Sequence, residues 1–516
     1  MHPILLAAFP VLFLFAANLG EHVTIDPLVE PLALAVGAVA LLLVLTVGLL
    51  RVTGLDAGRA ALVVSVGVAL FFSYGHAWQA ADELLREHWV LLTGWALLAI
   101  GGTTAVLRAS AGRVGRVTRV LNMIAALLVA INVVPIVGFA LQEGSGVADG
   151  PASDSSVASN PSDPDIWYLV FDRYAGAPGL ERAFGFDNDA FVSALEARGL
   201  AVYEGATANY LKTAHSLVST LEMDFLDAQQ LQDAAATPDD WAPLYRVLQG
   251  SHAVQRFLQE RGYEYLHLGV RRGATYDNSA ADRTFIYGEQ TEFSAVLADT
   301  TLLTAIASFT TSDVLSGTSE LYRNHSLYQM NVLEQLASAR SLRPRFIFAH
   351  LLLPHPPYVF NADGSWVTTR QAAERTPEQQ YIEQLRFAND RILALLDAIQ
   401  ASPDVPPVIV LQADEGPFPD RYARDELSFQ WREATDAELV QKFSILAAYR
   451  VPGVSAAELE LSSTPTPVNA FRAVFNALFD AGFETLPDRN LIFSDQRHIY
   501  DLIDATDRVQ DAMQRP

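Results

Sequence analysis

The sequence of 516 residues contains no cysteine. Structural disulfides and thiolate metal sites are therefore excluded, and this absence is compatible with any cellular compartment. Lysine is almost as scarce, since Lys212 and Lys442 are the only two in the chain. Acids outnumber bases by 59 to 35, which gives a formal net charge of -24. A chain this acidic is not expected to bind nucleic acid.

Long apolar runs are confined to the N-terminal part of the chain, up to Leu141. Five of them are about long enough to cross a hydrocarbon layer of roughly 30 Å. They lie near residues 3–19, 31–50, 60–80, 89–107 and 120–141. We predict five transmembrane helices within residues 1–142, with the lipid bilayer as their partner. A cleaved signal peptide is the alternative for the first run, although no basic region precedes it.

The loops between these runs differ in charge. Arginines occur in residues 51–59 and 108–119, whereas residues 20–30 and 81–88 are mostly acidic. Basic loops tend to stay in the cytoplasm. We therefore predict a multi-pass protein of the cell membrane with a cytoplasmic N-terminus. Everything after the fifth helix is then extracytoplasmic.

The sequence changes character after the fifth apolar run. Residues 143–164 consist mainly of Gly, Ser, Pro, Asp and Ala, which indicates a flexible linker. From Asp165 onward, short β-rich runs alternate with amphipathic helical patterns. The β-rich runs cover residues 165–171, 262–269, 344–353, 407–413 and 442–449. This alternation predicts an α/β sandwich with a mostly parallel sheet over residues 165–516.

Carboxylates follow two of the predicted strands. Asp172 ends the stretch WYLVFD, and Asp414 and Glu415 end the stretch PVIVLQADE. Polar residues at the carboxyl ends of parallel strands collect at one edge of the sheet. Adjacent half-buried carboxylates repel each other unless a cation lies near them, so the Asp414–Glu415 pair indicates a metal site. A helix cap for Asp172 and a solvated turn for the pair are the alternatives.

A candidate nucleophile lies in the stretch ANYLKTAHSLVSTL, residues 208–221. The pattern predicts a helix that begins at or near Thr213. A hydroxyl there lies in the positive field of the helix dipole, which suits an alkoxide nucleophile or a bound phosphate. An ordinary threonine cap is the alternative. The neighbouring Lys212 is a candidate for binding an anion.

A candidate histidine lies in the stretch FAHLLLPHPPYVF, residues 348–360. Two prolines follow His355 and restrict the backbone, so its imidazole is presented from a rigid loop. Such a group can hydrogen-bond a phosphoryl oxygen or transfer a proton. His350, inside the predicted strand, is interpreted as a core residue or as a support for the site.

In this order, the motifs resemble the alkaline phosphatase and sulfatase superfamily. They are Asp172 after a strand, Asn209-Tyr-x-x-Thr213 opening a helix, a His355-Pro-Pro loop, and Asp414-x-Gly416 after a strand. Five apolar helices before such a domain are most similar to the branch of lipoteichoic acid synthase and the phosphoethanolamine transferases. The resemblance extends from Asp165 to about position 500 in motif order, and it covers the predicted membrane part only in architecture.

The resemblance implies a site with one divalent metal, held by Asp172, Thr213, Asp414 and Glu415. It implies substrate-binding roles for Asn209, Lys212 and His355. Thr213 would attack a phosphodiester of a membrane lipid donor and form a covalent phospho-threonine, with His355 assisting. An envelope glycan, a polymer or water would then accept the group. The protein would thus be a membrane-anchored phosphotransferase or phosphodiesterase.

The sequence differs from this branch at Glu415, where members of the branch usually have histidine. An all-oxygen ligand set favours Mn²⁺ or Mg²⁺ over Ca²⁺ or Zn²⁺. The C/S-x-P-x-R context from which sulfatases form formylglycine does not occur at Thr213, so sulfate hydrolysis by that mechanism is not expected. The alternatives are a non-catalytic relative that binds an envelope glycan or a partner protein, and a hydrolase of another phosphate or sulfate ester.

Overall fold

The computed structural model describes residues 1–19, 25–52, 54, 56–81, 88–143, 163–271, 273–287, 292–310, 318–401 and 405–515. The chain divides into two compact units. The helical unit comprises Met1–Ala152 and Gly288–Glu320, and the α/β unit comprises Ser153–Tyr287 and Leu321–Pro516. The chain therefore passes from one unit to the other after Ala152, after Tyr287 and after Glu320.

The helical unit begins with five apolar helices. They are α1 (His2–Ala17), α2 (Asp26–Val52), α3 (Ala57–Gln79), α4 (His88–Arg108) and α5 (Ala111–Glu143). The predicted run of five N-terminal apolar helices is confirmed in number and place. Helices α2 to α5 contain the four spans in the described residues that are long and apolar enough to cross a membrane. Helix α1, with 16 residues, is apolar but shorter.

The α/β unit is built on a seven-stranded sheet. Its strands are β1 (Ile166–Phe171), β2 (Ala201–Val202), β3 (Glu264–Leu268), β4 (Arg283–Thr284), β5 (Arg345–Leu351), β6 (Val408–Gln412) and β7 (Ala447–Arg450), in the order β2-β7-β6-β1-β5-β3-β4. The pairs from β6 to β4 are parallel, and the two pairs that involve β7 are antiparallel. A separate antiparallel pair joins β8 (Leu491–Phe493) to β9 (Leu502–Asp504). The predicted α/β class with a mostly parallel sheet is confirmed.

Fifteen further helices are found among the described residues. They are α6 (Ala177–Phe184), α7 (Asp189–Glu196), α8 (Thr213–Glu222), α9 (Ala228–Ala234), α10 (Ala242–Leu248), α11 (Ala253–Gln259), α12 (Glu292–Asp299), α13 (Leu303–Thr310), α14 (Thr318–Ser338), α15 (Thr369–Glu374), α16 (Pro377–Gln400), α17 (Asp420–Arg424), α18 (Asp436–Phe443), α19 (Ala470–Phe479) and α20 (Thr506–Gln514). Helices α12 and α13 lie in the helical unit.

The predicted boundaries 1–142, 143–164 and 165–516 remain predictions. Most of the predicted linker, residues 144–162, lies outside the described residues. The grouping of residues 288–320 with the helical unit departs from the last of the three predicted ranges.

Strand β1 lies at the centre of the sheet and all six of its residues are buried. Parallel neighbours flank it on both sides, which is why it reads as a continuous apolar run rather than an alternating one. On one face, the ring of Tyr168 contacts Phe471 of α19 edge to face at 5.0 Å. Long helix α16 starts at a capping box of Thr376 and Gln379 and buries an apolar stripe. The carboxyl ends of β1, β5 and β6 thus lie side by side in a well-packed frame.

Candidate functional site

Three buried side chains converge at the carboxyl ends of these three central strands. Asp172 follows β1, His350 is the penultimate residue of β5, and Asp414 follows β6. Each offers one ligand atom, and these atoms lie within 4.8 Å of one another. The Nε2 atom of His350 is 3.6 Å from Oδ2 of Asp172. Two carboxylates and an imidazole in this arrangement are a typical ligand set for a divalent metal ion.

Strand register explains the convergence. Val170 of β1 is the partner of His350 on one side and of Gln412 on the other. Residues paired across a sheet point to the same face, and so do residues two apart along a strand. Asp172 and Asp414 come two residues after Val170 and Gln412. All three chemical groups therefore extend toward one face of the sheet.

The three converging side chains have buried polar atoms without hydrogen-bond partners, as expected of ligands for a cation. Within the described part of the chain, Oδ1 of Asp172, Nε2 of His350 and Oδ2 of Asp414 are buried and have no hydrogen-bond partner. A buried carboxylate oxygen without a partner destabilises the fold by about 1–3 kcal/mol or more. A divalent ion would satisfy all three atoms at once, so the residues present fit the implied metal.

The pKa values of Asp172, His350 and Asp414 depend on one another's charges. Burial, together with the charges of Asp172 and Glu415, raises the pKa of Asp414 to about 7. Burial alone would raise the pKa of Asp172, but the neighbouring His355 and His350 outweigh it and lower that pKa. Burial opposes a charge on His350, yet its contact with Asp172 raises the imidazole pKa. The contact between the two side chains thus favours the charged form of both His350 and Asp172.

The candidate nucleophile is placed beside this group. Thr213 is the first residue of α8 and is half-buried, and Lys212 precedes it with an extended backbone. Thr213 lies close enough to Asp414 for its hydroxyl to lower the pKa of that carboxyl group. The first turn of a helix has backbone N–H groups without intrahelical partners and a positive field. The structure thus brings the predicted nucleophile, the predicted carboxylates and a helix N-terminus together.

Glu415 has a different environment from Asp414, although it is equally buried. Its Oε1 atom accepts a hydrogen bond from Nε of Arg173 at 3.2 Å and lies 3.1 Å from Nζ of Lys442. Its Oε2 atom is buried and has no hydrogen-bond partner among the described residues. The group of mutually close ligand atoms does not include Glu415. The predicted role of Glu415 as a metal ligand remains a prediction, and the observed contacts are those of a buried ion pair.

The turn that carries these acids depends on Gly416. A Cβ atom at this position would lie 2.3 Å from the carbonyl oxygen of Gln441 and 2.7 Å from that of Lys442. The N–H of Gly416 donates to the Lys442 carbonyl at 2.9 Å, and the Lys442 ammonium donates back to the Gly416 carbonyl at 2.8 Å. The glycine thus allows the strand end to contact the end of α18 closely enough for Lys442 to reach Glu415.

Three cations surround the aromatic ring of Phe418. The ring centroid lies 4.4 Å from the guanidinium carbon of Arg173, 4.4 Å from Nζ of Lys212 and 3.3 Å from Nζ of Lys442. Lys212 also pairs with Glu426 at 3.0 Å. Burial lowers the pKa of both lysines. The only two lysines of the chain therefore meet beside the candidate site, and we call these three cations with Phe418 the cation cluster.

Arg173 connects the cation cluster to the carboxylates. Its φ of 58° lies in the left-handed region, which is strained for a residue other than glycine. This conformation directs its N–H toward Oδ1 of Asp414 at 3.4 Å, while its side chain reaches Glu415. Strained residues of this kind are common where structure is held for function.

The remaining predicted residues, His355 and Asn209, have different surroundings. Nδ1 of the half-buried His355 bonds to the carbonyl oxygen of Pro356, so this nitrogen carries the proton and Nε2 offers a lone pair. Burial and the nearby Arg173 lower the pKa of His355 to about 3, so the ring is neutral. Asn209 is fully buried: its amide donates to the carbonyl of Arg489 at 2.9 Å and accepts from the N–H of Val468 at 2.9 Å. Its predicted role in substrate binding remains a prediction.

Two residues that sequence reasoning did not assign to the site support it directly. One is His350, which was interpreted as a core or supporting residue. The other is the buried Thr275, whose Oγ1 lies 2.8 Å from Nδ1 of His350. This contact leaves Nε2 of His350 directed at Asp172. Neither residue is part of a recognisable motif, and only strand register could have indicated His350.

The neutral His267, itself in contact with Tyr265, helps to hold Thr275 in place. The carbonyl of Thr275 accepts a hydrogen bond from Nε2 of His267 at 2.9 Å, and Nδ1 of His267 lies 3.1 Å from the hydroxyl of Tyr265. The tautomer of His267 follows from this pattern because a carbonyl oxygen can only accept. Burial lowers the pKa of His267 to about 4, which keeps it neutral. Thr275 therefore meets His350 from a rigid, fully bonded support.

No protein-family model and no curated protein matches the sequence. Among solved structures, the C-terminal periplasmic domain of EcEptC from Escherichia coli in complex with Zn matches with 11% identity and a TM-score of 0.42, over 68% of this chain and 94% of that chain. The lipoteichoic acid synthase LtaP from Listeria monocytogenes matches with 12% identity and a TM-score of 0.38, over 69% and 80%.

The integral membrane protein lipooligosaccharide phosphoethanolamine transferase A (EptA) from Neisseria meningitidis matches over 92% of this chain and 95% of its own, with 12% identity and a TM-score of 0.38. These matched structures are from the classes of protein that the sequence resemblance named. At these identities and TM-scores they carry no argument about chemistry.

Proposed function

We propose that this protein is a membrane-anchored, metal-dependent phosphotransferase or phosphodiesterase that acts on glycerophospholipid or polymer substrates of the cell envelope. The observation that supports it most is the group of mutually close, buried ligand atoms of Asp172, His350 and Asp414, with Thr213 beside Asp414 at a helix N-terminus. We place the N-terminus in the cytoplasm and the α/β unit outside. The donor is a membrane lipid, and the acceptor is a glycan, a polymer or water.

We propose Asp172, His350 and Asp414 as the protein ligands of one divalent metal ion, with the Thr213 hydroxyl as a fourth. Glu415, in this arrangement, neutralises Lys442 and Arg173. A mixed set of oxygen ligands and one imidazole suits Mn²⁺ best, and Mg²⁺ remains ahead of Ca²⁺. The imidazole makes Zn²⁺ a closer competitor than an all-oxygen set would. When bound, the ion lowers the pKa of the hydroxyl and stabilises charge on the phosphoryl oxygens.

The residues divide the reaction into two steps. In the first, Oγ1 of Thr213 attacks the phosphorus of the donor, a bond forms between Thr213 and phosphorus, and the bond to the lipid alcohol breaks. The proton that Thr213 loses is passed to the leaving alcohol, and Nε2 of His355 is proposed to relay it. In the second step, an acceptor hydroxyl attacks phosphorus, the bond to Thr213 breaks, and the acceptor's proton is returned to Oγ1 of Thr213 by the same route.

The positive charges of the cation cluster complement the negative charge of the transferred phosphoryl group. Arg173 and Lys212 are half-buried, and each lies 4.4 Å from the ring centroid of Phe418. Lys212 directly precedes Thr213, and Arg173 contacts Glu415, the residue after Asp414. Fixed cations and helix N–H groups stabilise negative charge that develops on phosphoryl oxygens. The anionic group of the substrate is therefore expected to face Arg173 and Lys212.

The test is turnover by the full-length chain in lipid nanodiscs. Thr213→Ala is expected to reduce hydrolysis or transfer of a fluorescent phospholipid by at least about 1,000-fold, as for other covalent nucleophiles. Thr213→Ser keeps a hydroxyl and serves as the matched control. Mass spectrometry of the quenched wild-type reaction should show phosphorylated Thr213. Undiminished turnover by the alanine variant would rule out the covalent mechanism.

Elemental analysis of the same preparations separates catalysis from binding. Wild-type protein should retain about one equivalent of a divalent metal. A protein that holds the metal but turns over neither phosphodiesters nor sulfate esters would favour the non-catalytic alternative, in which this unit binds an envelope glycan or a partner protein.

A further inference from the structure

Residues 292–310, which comprise α12, α13 and the turn between them, pack among the N-terminal helices. We call this segment the helical insertion. Phe293 and Leu297 are buried in an apolar cluster of the helical unit, which also contains Ala8, Val11, Leu12, Phe15, Leu28 and Ile136. The rings of Phe293 and Phe15 meet edge to face at 5.8 Å. Nothing in the sequence indicates this contact, because the insertion is separated from the last apolar helix by the first strands of the α/β unit.

The turn of the helical insertion is bonded to the backbone of α3. The N–H of Leu302 donates to the carbonyl of Phe71 at 2.9 Å, and the N–H of Gly75 donates to the carbonyl of Thr300 at 3.1 Å. Phe71 and Gly75 are one turn apart, so these two groups would pair with each other in a regular α-helix. The insertion therefore contacts the helix backbone itself rather than only its side chains.

Gly75 makes this close approach possible. A Cβ atom there would lie 2.2 Å from the carbonyl oxygen of Asp299 and 2.4 Å from the carbonyl carbon of Thr300. Both atoms belong to backbone, so they cannot move aside cheaply. Glycine at position 75 of α3 thus leaves the room that the backbone of the insertion occupies.

The contact lies within a predicted membrane span. Helix α3 is one of the four described helices long and apolar enough to cross a bilayer, and Phe71 lies about two turns before its last residue, Gln79. Two turns of α-helix cover about 11 Å. A backbone turn at such a depth is tolerated only if its polar groups find partners in protein. The two bonds to α3 supply them.

The insertion also has two apolar side chains that are about half exposed in the described chain. Leu303 is 45% and Ile306 54% exposed, and their spacing of three residues puts them on one face of α13. The opposite face is packed, since Ala305 is fully buried. Exposed apolar residues are equally abundant on α4, for example Leu97 at 66%, as expected for a lipid-facing helix.

We propose that the helical insertion is embedded in the bilayer, in the leaflet that contains the C-terminal half of α3, with Leu303 and Ile306 in contact with lipid acyl chains. The partner of this surface is therefore the hydrocarbon of the membrane. This inference does not depend on the proposed phosphotransfer.

The absence of cysteine gives a direct test with the full-length chain in nanodiscs. Ile306→Cys carries a nitroxide label, and its collision rates with oxygen, which partitions into lipid, and with a water-soluble nickel chelate are measured. Leu97→Cys is the control for a membrane span. Leu342→Cys, at a position that is 94% exposed in the α/β unit, is the control for water. Leu303→Cys repeats the test on the same face.

Labels at Ile306 and Leu303 are expected to show an oxygen-to-nickel ratio at least several-fold above that at Leu342 and close to that at Leu97. A ratio nearer to that of Leu342 at both positions would overturn the proposal. Thermal unfolding of each labelled protein, compared with the cysteine-free parent, shows whether the fold is intact. None of these readings involves enzymatic activity, so an inactive protein would leave the outcome unaffected.

Discussion

Asp414 and Glu415 are neighbours in sequence and equally buried, yet their environments differ in kind. Asp414 lies beside another carboxylate, a histidine and a threonine hydroxyl, and one of its oxygens has no partner among the described residues. Glu415 lies beside Arg173 and Lys442. In the first environment two carboxylates meet one imidazole, a set of groups that a divalent cation would satisfy. The second supplies its own cations.

Different neighbours explain the difference. Arg173 meets Glu415 with its side chain but Asp414 only with its backbone N–H. Lys442 reaches Glu415 because Gly416 allows a close contact with the end of α18. A pair of adjacent acids is therefore not by itself a metal site. Whether a buried acid is a candidate metal ligand or part of an ion pair depends on the residues that the fold places next to it.

The largest expected effect follows directly from this comparison. Asp414→Asn should weaken binding of Mn²⁺ to the metal-free full-length protein by at least about 1,000-fold, since removal even of groups that only support a ligand costs about 10–100-fold. Glu415→Gln should change the affinity by less than about tenfold, because Glu415 is bonded to Arg173 and Lys442. Isothermal titration calorimetry measures both. Equal losses for the two variants would mean that Glu415 is a ligand, as the family resemblance implied.

A second prediction concerns the ion pair itself. Lys442→Met removes the ammonium and leaves Glu415 buried with Arg173 alone, which should lower the free energy of unfolding by about 3–5 kcal/mol. The double variant Glu415→Gln/Lys442→Met removes both charges and should recover most of that loss. Thermal unfolding of the detergent-solubilised chain gives the comparison. A double variant no more stable than Lys442→Met would show that the pair is not the source of the effect.

Much of the fold and part of the site could be predicted from the sequence. The apolar helices and the strands β1, β5 and β6 are recognisable because their composition follows from burial. Asp172 and Asp414 were identified because they end two of these strands. His350 was not identified as a ligand because its position depends on the register with Val170, which a single sequence does not contain. The partner of Glu415 was equally inaccessible, since Lys442 lies on a different element, at the end of α18.

The position of residues 292–310 could likewise not be predicted from the sequence. Their sequence, with alternating apolar and small residues, fits a short surface helix of the α/β unit as well as a membrane-embedded one. What distinguishes the two is the contact of Thr300 and Leu302 with α3, which lies far earlier in the chain. Long-range pairing of this kind cannot be derived from local periodicity.

A third, smaller effect tests the support of His350. Thr275→Val keeps the shape of the side chain but removes the oxygen that lies 2.8 Å from Nδ1. The imidazole can then rotate or change tautomer, so metal affinity should fall by about 10–100-fold. Thr275→Ser retains the hydroxyl and should remain within a few-fold of wild type. If the valine variant bound metal as tightly as the serine variant, Thr275 would have only a packing role.

The smallest expected effect is a shift in the pH dependence of metal binding when Glu415 is neutralised. The pKa of Asp414 in the metal-free protein is raised to about 7. Below that pH the metal must displace a proton, whereas above it the carboxylate is already ionised. As far as Asp414 alone decides it, affinity for Mn²⁺ should therefore fall by about tenfold per pH unit below about pH 7. In Glu415→Gln one of the charges that raises this pKa is gone, so the fall should begin at a lower pH. An unshifted profile would mean that the Glu415 charge is fully neutralised by Lys442 and Arg173 and does not reach Asp414.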